Sequence, residues 1–180
     1  MSEAEEMKLE IGCGRSKAPG YVGLDRVALP GVDIVHEIEE FPWPMPNSSV
    51  PIPDSSVTEI RAHHVLEHLR DLVGVMEEAH RILKPGGLFS IVVPYYRHEG
   101  AFADPTHTRF FTERTFHYFT PEEPLNYYSK ARFKIVGMKF GWTGTYAWHI
   151  ETHIPFRRMA NLAHRLLLNK RATLDVVLRK

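Results

Sequence analysis

Apolar and polar positions alternate in short blocks along this chain, and the blocks read as strands separated by turns. "MKLEI" (7–11), "GYVGLD" (20–25), "VDIV" (32–35) and "VTEIRAH" (57–63) have strand length and end in glycine or polar residues. Over about 66–83 the period changes. Leu69, Leu72, Val73, Met76, Ala79, His80 and Leu83 fall near helical spacing, and Lys84-Pro85-Gly86-Gly87 ends the run. "LFSIVV" (88–93) is almost continuously apolar, as suits a parallel strand covered on both faces. "RFKIVGMKF" (132–140) and "TLDVVLR" (173–179) are the remaining strands. Between them, Phe156, Met159, Ala160, Ala163, Leu166 and Leu167 follow a helical period within an insertion over about 141–172. That helix is expected to pack on the sheet or on a second subunit of a homo-oligomer. Its arginines leave an anionic partner or a membrane surface as the alternative.

Strands alternating with helices and loops predict a single α/β domain over 1–180 with a mostly parallel sheet. In such sheets ligands sit beyond the carboxyl ends of the strands, so chemistry is expected just after residues 11, 25, 35, 62 and 93. One feature departs from this regularity. "PMPNSSV" (44–50) is followed at once by "PIPDSSV" (51–57), a tandem duplication within a loop. Added length in a surface loop costs little, so an inert insertion is the expectation, with a flap beside the ligand site as the alternative.

Composition narrows the function. Lys+Arg and Asp+Glu are 22 each, and this neutral balance argues against a general nucleic-acid binder. Cys13 is the only cysteine, which excludes an internal disulfide and fits a reducing compartment. No apolar run approaches the roughly 20 residues that cross a bilayer, and the charged start has no signal-like apolar core behind it. The sequence therefore reads as cytoplasmic.

"LEIGCGRS" puts Gly12 and Gly14 directly after a strand, where a backbone without Cβ atoms can turn tightly and approach a ligand. Glu10 is an acid at the end of an apolar strand, costly unless it meets backbone amides or a ligand ammonium. Asp25 ends the second strand, where a carboxylate can accept from the two hydroxyls of a ribose. A nicotinamide dinucleotide is disfavoured, because "GCGRS" lacks the last glycine of GxGxxG and the link to the second strand is short.

Taken together, "LEIGCG…GLD…HHVLEHL…HRILKPGG" resembles the class I S-adenosylmethionine-dependent methyltransferases, particularly the type 11 group, over roughly residues 7–120. The resemblance implies a Rossmann-like fold with helices on both faces of the sheet and a reversed edge strand. It also implies S-adenosyl-L-methionine as cofactor and S-adenosyl-L-homocysteine as product. Glu10, Gly12, Cys13 and Gly14 would face the methionine end, and Asp25 the ribose with Arg26 beside it. Glu37 would lie near the adenine, and His63, His64, Leu66 and His68 would line the pocket after the fourth strand. Ser16 replaces the family's third glycine, and the first helix is nearly absent, so Arg15 or Lys17 could take over contacts to the cofactor carboxylate.

The segment "PYYRHEGAFADPTHTRFF" follows the fifth strand, opposite the methionine end, where a methyl acceptor must wait. Transfer needs an acceptor lone pair aligned with the S–CH3 bond, and a base only where the acceptor must lose a proton. His107 is the expected base, and Asp104 either orients it or forms an Asx turn with Thr106. Arg109 suits a carboxylate or phosphate, and Tyr95, Tyr96, Phe102, Phe110 and Phe111 supply walls. His64 and His68 share the i, i+4 spacing of a metal pair, but the HExxH order and a cysteine cluster are missing, so no metal is expected. The expected reaction is methyl transfer to oxygen or nitrogen of a small-molecule or glycan-type acceptor. An RNA or protein methyltransferase and a non-catalytic cofactor-binding subunit are the rivals. "HHVLEH" stands where DNA amino-methyltransferases carry an Asn/Asp-Pro-Pro-aromatic motif, which argues against DNA.

Overall fold

The computed structural model describes residues 6–142 and 171–180. The apolar blocks become β1 (Met7–Ile11), β2 (Val22–Asp25), β3 (Ile34–Val35), β4 (Val57–His63), β5 (Leu83–Pro94), β6 (Lys134–Trp142) and β7 (Arg171–Arg179). They form a seven-stranded sheet in the order β3-β2-β1-β4-β5-β7-β6. Pairing is parallel from β3 across to β5, whereas β7 runs antiparallel to both β5 and β6. The reversed strand is thus slotted one place in from the β6 edge. The chain builds outward from β1 to β3 and then returns to β4 on the other side of β1. The crevice beyond the ends of β1 and β4 is the topological switch point, where open α/β sheets bind ligands.

One face of the sheet carries the core. Leu9, Ile11, Ile60, Ala62, Phe89, Ile91, Val93, Leu174, Val176 and Leu178 all point into it and are buried. Helix α1 (Leu72–Ile82) covers them with Leu72, Val75, Met76, Ala79 and Ile82. A long segment after β5 adds Phe111, Phe116, Phe119 and Phe133, each nearly or fully buried. Tyr127 and Tyr128 of the same segment are left outside. On the opposite face Leu88, Ser90 and Val92 of β5 are only half-buried, so β5 is not equally covered on both sides among the described residues.

The helix expected from residue 66 begins later. Residues Leu66–His68 make a single 3-10 turn, and Leu69 then turns extended. The Asp71 carboxylate caps α1 by accepting from the Gly74 amide at 2.8 Å. The Arg70 amide is held off the helix by the Glu39 carboxylate at 2.7 Å. Lys84–Gly87 form an irregularity inside β5: pairing jumps from Val57↔Leu83 to Glu59↔Leu88. Gly86, at φ 83°, makes that bend, and its amide donates to the Lys180 carbonyl.

The duplicated heptads fold differently from one another. The first is a surface excursion closed by Met45 N–H to the Val50 carbonyl and Ile52 N–H to the Trp43 carbonyl, both 2.8 Å. The second buries Ile52 and leads into β4. Both lie toward the start of β4, at the opposite end of the sheet from the switch-point crevice. The helical insertion expected over about 141–172 falls on residues outside those described, apart from its ends, which are strand.

Candidate functional site

The turn after β1 is shaped by two glycines at positive φ, 64° for Gly12 and 52° for Gly14. A Cβ on Gly12 would lie 2.3 Å from the Val65 side chain, so this glycine is required by packing against the turn after β4. A Cβ on Gly14 would meet none of the described residues within 4 Å, so among them that part of the turn is open. The Gly14 amide donates to Asp25 Oδ2 at 2.9 Å and the Val27 amide to Oδ1 at 3.0 Å. Each oxygen keeps a further lone pair for a ligand.

Glu10 is buried and meets its partners inside the protein. Its Oε2 accepts from the Ala18 amide at 2.6 Å, and Oε1 lies 3.3 Å from Arg61 Nε. Burial, reinforced by Asp25 and Glu10, pushes the Cys13 thiol up to about 11, so it stays protonated. Lys17 is committed to Asp33 at 2.6 Å, which removes it as a carrier for a cofactor carboxylate and leaves Arg15 exposed in the same link.

His63 supplies the most direct sign of a ligand. Arg61 Nη2 lies 3.0 Å from His63 Nδ1, and a guanidinium can only donate, so Nδ1 accepts and the hydrogen sits on Nε2. Burial and the Arg61 charge both hold the pKa of this imidazole below its ordinary value. Its Nε2–H is buried without a partner among the described residues. An orphaned donor, a carboxylate with spare lone pairs and an open glycine turn, all beyond β1, β2 and β4, fit a polar cofactor. Arg26 and Glu37 are exposed at the ends of β2 and β3. Leu66, expected to line the pocket, is fully buried and belongs to the core.

A second group forms around an open cavity of about 750 Å³ at the same end of the sheet. His64, Glu67, His68, His98, Asp104 and His107 contribute its polar lining, with Ala172 and Thr173 at the start of β7. His64 leaves β4 at φ 53°, a backbone state uncommon for a residue with a Cβ, and its Nδ1 lies 3.4 Å from Glu67 Oε1. That contact pulls the His64 pKa above its ordinary value.

The Asp104–Arg109 loop is held by several devices. The Thr106 amide and hydroxyl both donate to Asp104 Oδ1, at 2.8 and 2.6 Å, which is the Asx turn. These bonds hold the exposed Asp104 carboxyl below its ordinary range. Its other oxygen is 4.0 Å from His107 Nε2. Arg109 donates through Nε to the Leu69 carbonyl at 2.9 Å and through Nη2 to that of Arg70. It fastens this loop to the segment before α1. Tyr95 is buried and donates to Glu113 at 2.9 Å, so it supports the loop from below, whereas Tyr96 is exposed. Phe102 stacks on Phe110 at 4.4 Å on the surface, and Phe111 is in the core. Sequence reasoning missed Glu67 as a site residue. Its signal was an acid inside the apolar turn "VLEHL", which folding buries to 1% exposure.

Comparison with known proteins bears on the family and the fold. A family model described as a methyltransferase domain matches residues 9–91. A Mycolicibacterium smegmatis protein named "Probable S-adenosylmethionine-dependent methyltransferase" is 33% identical over 104 residues, 48% of this chain and 37% of its own length. A demethylmenaquinone methyltransferase of Tropheryma whipplei is 27% identical over 113 residues, covering 57% of this chain and 46% of its own. The chain thus spans less than half the length of both. A crystal structure of a SAM-dependent methyltransferase from Archaeoglobus fulgidus superposes with a TM-score of 0.67 over 97% of this chain and 86% of its own. Its 16% identity speaks to fold alone.

Proposed function

We propose that this chain is a class I S-adenosylmethionine-dependent methyltransferase that moves a methyl group onto oxygen or nitrogen of a small-molecule or glycan-type acceptor, a reading supported by the methyltransferase-domain match over residues 9–91. S-adenosyl-L-methionine is the cofactor that family and fold imply, and it supplies the electrophilic methyl. Asp25 would bind its ribose, with the Gly12–Gly14 turn and His63 toward its methionine end. Arg26 and Glu37 stand where the outer rim would be.

The observation that carries the reading is the adjacency of two differently built places. The glycine turn offers backbone and a carboxylate, and suits the cofactor. The cavity beside it offers imidazoles and carboxylates, and suits an acceptor that must be oriented and lose a proton. His107 is the residue closest to that task. Its Nδ1 lies 2.9 Å from the Ala101 carbonyl and donates to it, so in the neutral ring Nε2 carries the lone pair. Asp104 acts through Thr106 as a positioning residue. Neutral overall charge favours a small acceptor over nucleic acid. No helix among the described residues is long and apolar enough to cross a membrane.

Calorimetry with S-adenosylhomocysteine, followed by transfer of labelled methyl to a panel of hydroxylated and amino acceptors, tests this. Transfer to a small acceptor supports the proposal. Salt-sensitive methylation of RNA, or methylation of protein only, replaces the acceptor class. Cofactor binding with no transfer to any acceptor replaces the enzyme with a cofactor-binding subunit.

A further inference from the structure

The loop after α2 (Gly100–Ala103) is stitched to the turn after β4 by backbone bonds. Thr108 and Arg109 N–H both donate to the Glu67 carbonyl, at 2.8 and 3.2 Å. This seam gathers Glu67, His68 and His107, from segments about 40 residues apart in sequence, so that one potential ligand atom of each lies within 4.8 Å of the others. The two imidazoles stand edge to face, with centroids 4.8 Å apart.

Their hydrogen bonds decide what each group offers. The Thr106 hydroxyl gives its hydrogen to Asp104 Oδ1, so its oxygen can only accept from His68 Nδ1, 2.9 Å away. That leaves the lone pair of His68 on Nε2. The Ala101 carbonyl fixes His107 in the same way, with its lone pair on Nε2. Glu67 is 1% exposed, and its Oε2 is buried with no hydrogen-bond partner among the described residues. Two imidazole lone pairs and an orphaned carboxylate oxygen are all acceptors, and among the described residues nothing donates to Oε2.

We propose that Glu67, His68 and His107 bind a divalent transition-metal ion of the zinc type, at the wall of the acceptor cavity that all three line. Two imidazoles and one carboxylate form a three-ligand set of the kind that leaves coordination positions open. The partners of the remaining ring nitrogens are those that orient ligating histidines. His107 has a backbone carbonyl, and His68 has a hydroxyl anchored by a carboxylate. This revises the expectation of no metal. The i, i+4 pair that the sequence offered, His64 and His68, is not the pair that meets; folding brings in His107 instead.

The role of the ion rests on the methyl-transfer reading. An acceptor hydroxyl coordinated at an open position loses its proton to solvent. Its oxygen then bonds to the methyl carbon, and the carbon–sulfur electron pair leaves on sulfur as S-adenosylhomocysteine. His107 serves here as a ligand, and the ion takes over acidification of the hydroxyl.

The test uses the full chain stripped with a chelator and titrated separately with Zn²⁺ and Co²⁺. Calorimetry and the visible spectrum of bound cobalt are the readouts, and S-adenosylhomocysteine affinity is measured on the same samples. One ion per chain is expected. His68→Ala, His107→Ala and Glu67→Gln should each lower affinity at least about 100-fold, and Thr106→Val roughly 10-fold. A thermal melt of each stripped variant shows that it is folded, and the two histidine variants decide the matter if the Glu67 variant is not. No saturable uptake, or wild-type uptake in the folded ligand variants, overturns the site. S-adenosylhomocysteine binding without metal uptake removes the ion and keeps the methyltransferase reading. Metal uptake without S-adenosylhomocysteine binding does the reverse.

Discussion

The Gly14 amide donates to Asp25 Oδ2 at 2.9 Å, which ties the turn after β1 to the end of β2. The same carboxylate is therefore both a loop anchor and the proposed ribose acceptor. Asp25→Ala should weaken S-adenosylhomocysteine binding by roughly 1–3 kcal/mol, measured by calorimetry. Asp25→Asn keeps an acceptor for Gly14 and should lose less. The two glycines separate by the space around them. Gly12→Ala should destabilise the fold, since its Cβ would press on Val65 at 2.3 Å. Gly14→Ala should cost only the strain of its positive φ, roughly 1–2 kcal/mol, because its surroundings are open. Melting curves of the two variants distinguish them; equal losses would refute the packing account of Gly12.

Arg81 is the clamp of the cofactor-distal end. It bonds Glu78 through Nε at 2.8 Å and Nη2 at 2.6 Å, and Asp54 and the Ile52 carbonyl through Nη1. Glu78 is buried and also accepts from the Trp43 amide at 2.8 Å. Arg81→Met would strand that carboxylate and should cost about 2–4 kcal/mol by denaturant unfolding. The double variant with Glu78→Gln should recover part of the loss. No recovery would mean that the pair is not coupled.

The strands were legible because each is a short apolar block ended by a turn residue, and all seven expected blocks fall on strands of the sheet. The first turn of the expected 66–83 helix was not, because a distant acid, Glu39, captures the Arg70 amide and breaks the helical ladder there. The same limit applies to the site. Asp25 and the glycines sit next to each other in sequence or at adjoining strand ends, so spacing pointed to them. Glu67 and Arg109 owe their roles to the seam between two loops, which no local pattern encodes.

The duplicated segment should be dispensable. Trp43 and Ile52 already touch through a 2.8 Å bond, so the excursion between them starts and ends at one place. Deleting residues 44–50 removes Met45, which packs at the edge of the core, and leaves Trp43 and Ile52 buried. The melting temperature should fall only slightly and methyl transfer should be retained, since both copies lie at the far end of the sheet. Loss of transfer with an unchanged melt would restore a role at the site.

Acid sensitivity should trace in part to His80, which meets Phe133 edge to face with centroids 5.1 Å apart. Burial, reinforced by the Lys180 charge, lowers its pKa from the ordinary 6.5. The unfolded chain then takes up the proton first, so nothing is lost above the ordinary value and stability falls as pH drops below it. His63, shifted the same way by burial and Arg61, adds to the same slope. His80→Phe should flatten the decline in unfolding free energy below about pH 6.5. A slope identical to wild type would assign the sensitivity elsewhere.

The Asp104–Thr106–His68 chain makes the final test, because it separates charge from position. Asp104→Asn removes the charge but leaves Oδ1 to accept from the Thr106 amide and hydroxyl, now 2.8 and 2.6 Å away. If Asp104 only positions Thr106, this variant should turn over within several-fold of wild type. Thr106→Val keeps the volume but leaves His68 Nδ1 without its oxygen partner, so turnover should fall further than in Asp104→Asn. His107→Ala removes the proposed base and should cost roughly 10²–10⁴-fold in turnover while S-adenosylhomocysteine affinity is kept. A different order of loss, with Asp104→Asn as damaging as His107→Ala, would show that the carboxylate charge itself acts on the acceptor. Loss of cofactor affinity in all three would instead place this loop against the cofactor, and the acceptor would then have to approach from the Thr173 side of the cavity.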